Sequence, residues 1–151
     1  MIMQRLYDYA AARGVHIEYC DLTHLGRAGD CHPPTKHIRL QRGMLYRKER
    51  SVLAHELAHE YYGDTPDMFG RLPRKAETRA DKWAAHFLIN PSEYRLAEER
   101  FGSNTEWIAQ ELGVLEHLVN AYEKTLTRLG DTVYVRPRMG EGQWDQRIEV
   151  A

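Results

Sequence analysis

The 151 residues predict an α+β domain, with a short antiparallel sheet near the N-terminus and a run of helices after it. Alternation of apolar and polar residues is confined to short stretches such as "VHIEYCDL" and "KHIRL", which is the period of half-buried strands. From Arg47 onward the apolar residues recur mainly at helical spacing. A composition of 42% apolar and 28% charged residues allows one soluble globular domain, or a small domain with an appendage, two full domains being crowded at this length.

Each element follows from its local pattern. Ile2, Met3, Leu6, Tyr7 and Ala10 form one helical face over residues 2–12, and Gly14 stops it. In the first strand Val15, Ile17 and Tyr19 alternate with His16, Glu18 and Cys20; "GRAGDCHPP" turns the chain and "KHIRL" returns. Residues 47–62 are helical, with Leu53, Leu57 and Tyr61 in line and Gly63 as terminator. "TPDMFGRLP" is a loop. The next helix spans 74–89 and buries Ala76, Ala80, Trp83, Ala84, Phe87 and Leu88. Asn90 caps a short helix with Pro91 in its first position and Gly102 at its end, and Ser103 with Glu106 offers a second capping box. A helix to Leu112, Gly113 and a second helix to about Leu129 follow, with Trp107, Ile108, Leu112, Val114, Leu118, Val119 and Tyr122 as core. The tail holds one short strand, "TVYV".

The net charge is -1 with no long run of one sign, so nothing electrostatic favours nucleic acid or an acidic membrane as partner. Arg5 and Asp8 interrupt the N-terminal apolar residues, so no secretory signal is read there, and no stretch approaches the ~20 apolar residues of a membrane span. A cytoplasmic protein is expected. Cys20 and Cys31 are too few for a disulfide framework; with His24 and His32 they match no zinc-knuckle spacing and read as surface residues flanking a turn.

The chemistry is concentrated in "SVLAHELAHEYYGD", which contains HExxH as His55-Glu56-Leu57-Ala58-His59. Alone, this pattern also fits two core histidines and a solvated glutamate. On a helix, however, positions i and i+4 share a face, so two imidazoles can meet at one ion. A catalytic zinc takes three protein ligands and keeps a fourth position open. Glu77, on the following helix, is the third-ligand candidate, and Asp81 one turn later can accept the second ring N–H of a ligand histidine, His55 first. The alternative extension, Gly and His three and six residues after the second histidine, is absent, because Tyr62 and Thr65 stand there. Glu60, charged where an uncharged residue is usual, is expected to face outward.

"VLAHELAHEYYGD" followed by "KAETRADKWAAHFLINP" resembles the ImmA/IrrE family of metallopeptidases, whose second helix reads as Glu77, Ala80, Asp81, Trp83, Ala84, Ala85 and Phe87 to Pro91 do here. The resemblance covers about residues 1–130, with these two helices its specific part. It implies a small zincin-like metallopeptidase core over 1–91, a helical extension over 92–130 packed on it, and a tail over 131–151. It implies one catalytic Zn2+ held by His55, His59 and Glu77, with Glu56 as catalytic glutamate. The implied substrate is a helix-turn-helix transcriptional repressor in a phage or mobile-element immunity circuit. His86 stands where many members have glutamate.

Glu56, beside a ligand, is placed to take a proton from the attacking water and pass it to the leaving amine. For the oxyanion Tyr61, Tyr62, His86 and Tyr94 could serve, each being more simply packing or surface. The same ligands accept manganese, cobalt or nickel. The alternative is a metal-bound, non-proteolytic regulator acting through the C-terminal helices, whose helix, glycine, helix layout is that of a DNA-binding motif. Glu106, Glu111, Glu116 and Glu123 outnumber Lys124 and Arg128 there, the wrong sign for contact with phosphates.

Overall fold

A computed structural model describes residues 2–129, 132–137 and 144–149 of the chain. The order is α1 (Ile2–Ala12), β1 (His16–Cys20), β2 (Gly29–His32), β3 (His37–Gln41), α2 (Tyr46–Tyr62), α3 (Arg74–Leu88), α4 (Pro91–Phe101), α5 (Thr105–Leu112), α6 (Glu116–Glu123), β4 (Leu126–Leu129), β5 (Thr132–Pro137) and β6 (Trp144–Glu149). The fold is α+β, as expected. It divides into two compact units, Met1–Ala84 and Ala85–Ala151.

In the first unit the sheet has the order β1-β3-β2 and is mixed rather than antiparallel. β1 runs parallel to β3, pairing His16 with His37 through Cys20 with Gln41, whereas β2 runs antiparallel to β3. Alternation marks a strand but not the direction of its partner. Here the "GRAGDCHPP" stretch, expected as a turn, supplies β2 itself, which forms a hairpin with β3 across Pro33–Thr35 and Lys36. Gly-Asp-Cys-His has no β-branched or aromatic residue, so its pattern gave no strand signal. Ile38 and Leu40 of the central strand are fully buried, as are Leu53 and Leu57 of α2, while Tyr19, expected inside, is 39% exposed and shares a hydrogen bond with Tyr7.

β2 rests on α2 because Gly29 has no side chain. A Cβ there would lie 2.8 Å from Val52 Cγ1 and 3.2 Å from the Arg39 carbonyl oxygen. Gly29→Ala is therefore expected to destabilise the protein by about 1–2 kcal/mol through overpacking, read by urea denaturation; an unchanged midpoint would show that β2 can lift without cost.

α2 is buried around most of its middle, Arg50, Ser51, Leu53, Ala54, Glu56, Leu57, Ala58, His59 and Glu60 included. Glu60 thus does not face outward. It is 5% exposed and accepts from Arg13 Nε at 2.6 Å and Lys36 Nζ at 3.1 Å. Lys36 adopts a left-handed backbone (φ 53°) to do so, and its carbonyl accepts from His16 N at 2.8 Å.

In the second unit Asn90 caps α4 by accepting from Ser92 N and Glu93 N. The cap of α5 is Asn104, which accepts from Trp107 N, and not Ser103. Ile108, Leu112, Val114, Leu118, Val119 and Tyr122 are buried, but Trp107 is 56% exposed, edge-on to Phe101. α6 ends at Glu123 and does not continue to Leu129: Thr125 donates both its N–H and its hydroxyl to the Tyr122 carbonyl, and the chain enters β4. β4, β5 and β6 form an antiparallel meander, where one strand was expected in the tail.

Candidate metal centre

The site is assembled on the C-terminal half of α2 and the first turns of α3. The helical period places His55 and His59 on one face, their rings 4.6 Å apart at 85°. Their Nε2 atoms lie 3.0 Å from each other, and each is 3.1 Å from one oxygen of the Glu77 carboxylate. Bonds of about 2.0–2.1 Å around a tetrahedral ion set ligand atoms about 3.3 Å apart. The three side chains thus fit a divalent ion after small outward shifts. Among the described residues this is the one group of three or more His, Cys, Asp or Glu side chains close enough to share a metal, and Cys20, His24, Cys31 and His32 form no such group.

The ring nitrogens that face away from this point are both tied down. His55 Nδ1 donates to Asp81 Oδ1 at 2.8 Å, and His59 Nδ1 donates to Asp64 Oδ2 at 2.9 Å. Each bond fixes a tautomer that leaves Nε2 free to ligate. Asp64 was not singled out in the sequence. It arrives through the end of α2: Gly63 takes a left-handed conformation (φ 68°) and Asp64 N–H closes onto the His59 carbonyl at 3.0 Å, which folds Asp64 back beside His59. Arg79 of α3 holds the other Asp64 oxygen and packs over the Tyr62 ring at 4.0 Å. The signal for Asp64 was its place just after a terminating glycine; Arg79 had none.

The charges favour a cation. Burial acts to lower the His55 pKa, but hydrogen bonds from Asp81 and Glu77 outweigh it and push it up to about 10. His59 is raised in the same way, burial being outweighed by Glu77 and Asp64, and the two imidazoles hold Glu77 far below the usual carboxylate range. Raised imidazole pKa values mean that protons compete with a cation for the ring nitrogens, so affinity is expected to rise with pH. Calorimetric titration at neutral pH in two buffers of different ionisation enthalpy should show proton release; heats independent of the buffer would contradict this.

Glu56 does not join the ligands. Its carboxyl is buried beside them and its pKa is pushed up to about 7, mainly by burial, with the nearby imidazoles pulling it down in part. His55, Glu56, His59 and Glu77 line a cavity of about 210 Å³ together with Gly29, Asp30 and Cys31 of β2 and with Pro66, Gly70 and Leu72. Tyr61 packs against Tyr62 and Trp83, with Arg13 over its ring, and neither Tyr61 nor Tyr62 lines this cavity. His86 and Tyr94 belong to the second unit, where both pack on Tyr122 and the Tyr94 hydroxyl lies within hydrogen-bond distance of the Glu98 and Glu123 carboxylates.

Two histidines one turn apart, a carboxylate from the next helix and a buried glutamate at the same cavity make up a candidate HExxH metal centre. The model of the Peptidase M78 family, described as the IrrE N-terminal-like domain, matches residues 10–121. The chain belongs to this metallopeptidase family. Among solved structures it is similar to a Mycobacterium tuberculosis transcriptional regulator, with a TM-score of 0.61 and 20% identity over 99% of this chain. That likeness shows a shared fold, and this chain spans 50% of the regulator's length. No match is found among curated proteins. No helix of the described residues is long and apolar enough to cross a membrane.

Proposed function

We propose that the protein is a zinc-dependent endopeptidase of the cytoplasm with a narrow protein substrate, a helix-turn-helix repressor of a phage or mobile-element immunity circuit. The observation that carries this is the convergence of His55 Nε2, His59 Nε2 and the Glu77 carboxylate beside the buried Glu56 in one cavity.

His55, His59 and Glu77 would hold the ion, which supplies Lewis-acid polarisation of the scissile carbonyl and acidifies water. Asp81 and Asp64 keep the two imidazoles oriented. Glu56 takes a proton from the attacking water onto its carboxylate and returns it to the leaving nitrogen, a task suited to a group near neutrality. The low exposure of Glu56 and His59 keeps bulk water from competing for these bonds.

The test is incubation of the repressor encoded beside the gene with the purified protein. A discrete cut, lost with a chelator and restored by zinc, is expected. Stoichiometric zinc with no cut would favour a metal-bound regulator instead, a second reading supported by the likeness to the Mycobacterium tuberculosis transcriptional regulator. An absence of bound metal would remove the site altogether.

A further inference from the structure

Between α2 and α3 lies a turn whose order and surface are at odds. Asp67 N donates to the Arg71 carbonyl at 2.8 Å and Gly70 N to the Asp67 carbonyl at 2.9 Å. Asp67 Oδ1 accepts from Phe69 N at 2.8 Å and Arg71 N at 2.9 Å, and Gly70 supplies the positive φ of 75° that closes the turn. Five residues are thus held by four hydrogen bonds. At the tip of this ordered turn Met68 is 89% exposed and Phe69 69% exposed, with the Arg71 guanidinium 5.0 Å from the Phe69 ring centre. Two adjacent large apolar side chains held out in water on a fixed backbone are a ready anchor, because little conformational entropy remains to be lost on binding.

The same segment builds the catalytic cavity. Pro66, Gly70 and Leu72, on either side of the tip, wall the space that holds His55, Glu56, His59 and Glu77. Pro66 also borders a second cavity of about 330 Å³ along β2 and β3, lined by Cys31, His32, Thr35 and His37. The turn thus adjoins both spaces.

We infer that Met68 and Phe69 form a docking anchor for the protein substrate, receiving apolar side chains of the segment next to the scissile bond. This rests on the endopeptidase reading above. The substrate is the occupant because the turn is continuous with the cavity that must admit it. The exposed Arg71, Arg74 and Lys75 that follow would also suit an anionic lipid surface, but the continuity of the turn with the cavity favours the substrate.

The test uses zinc-loaded protein of the full chain carrying Glu56→Gln, incubated with a synthetic library of random-sequence peptides; bound peptides are then sequenced by mass spectrometry. Enrichment of Leu, Ile, Met or Phe is expected, falling roughly tenfold when Met68→Ser and Phe69→Ser are added. Thermal unfolding and metal content of the serine variant serve as controls for folding, with Met68→Ser alone as the milder variant. Enrichment that the serines leave intact, or no apolar enrichment, overturns the anchor. So does sedimentation showing a dimer that the serines dissociate, which would make a second copy the occupant. Digestion of the same library by the unsubstituted protein separates the two readings. Cleavage with no apolar preference at any offset from the cut overturns the anchor and keeps the peptidase. Serine-sensitive binding with no cleavage of the library or of the neighbouring repressor removes the peptidase and leaves Met68 and Phe69 as a peptide-docking surface without a substrate role.

Discussion

Glu56→Gln is expected to lower peptide hydrolysis by about 10² to 10⁴-fold, the range of a lost general base, while leaving bound metal in place. The two halves of this result have different origins. Glutamine matches glutamate in shape, and Glu56 is not among the three converging ligand groups, so the substitution leaves His55, His59 and Glu77 intact. It removes only the carboxylate that accepts and returns the proton. Steady-state cleavage together with metal analysis of the same preparation reads both. Loss of metal along with activity would mean that Glu56 supports the site structurally; retained activity would mean that another group moves the proton.

The second large effect is on stability. Glu60→Gln is expected to cost about 2–3 kcal/mol, below the full penalty of breaking a buried pair because Arg13 and Lys36 are themselves partly exposed and can be re-solvated. The pH dependence has a definite sign. Burial acts to raise the Glu60 pKa, but its bonds to Arg13 and Lys36 outweigh this and lower it below the ordinary 4.5. A carboxylate with a depressed folded-state pKa contributes stability that is present above its unfolded value and lost as pH falls through the folded one. Urea midpoints of the two proteins should therefore differ at neutral pH and converge in acid below pH 4.5. A gap that persists unchanged in acid would assign the loss to packing.

How far the sequence reached depends on what kind of information each feature needs. The pairing of His55 with His59, and of Glu77 with Asp81, follows from helical period alone, and two helices with clear terminators were enough to bring those four residues forward. Glu60 was misjudged because its burial comes from elements remote in the chain, Arg13 at the end of α1 and Lys36 before β3. Charge in a helix reads as surface unless the opposite charge is already known to be near. Asp64 and Arg79 were missed for a different reason: their roles arise from the fold of the turn after Gly63. β2 lacked a pattern, and the direction of β1 was not encoded in its alternation. At the end of α6, Leu126 and Leu129 continued a helical spacing, but the β-branched Thr125 and Thr127 mark the change to β4.

One ion held by His55, His59 and Glu77 is the centre of the proposed chemistry. Native mass spectrometry of the intact protein measures this directly, in the unsubstituted chain and in His59→Ala. One zinc ion per chain in the first and none in the second is expected. A metal-free unsubstituted protein, or a His59→Ala protein that keeps its ion, would contradict it.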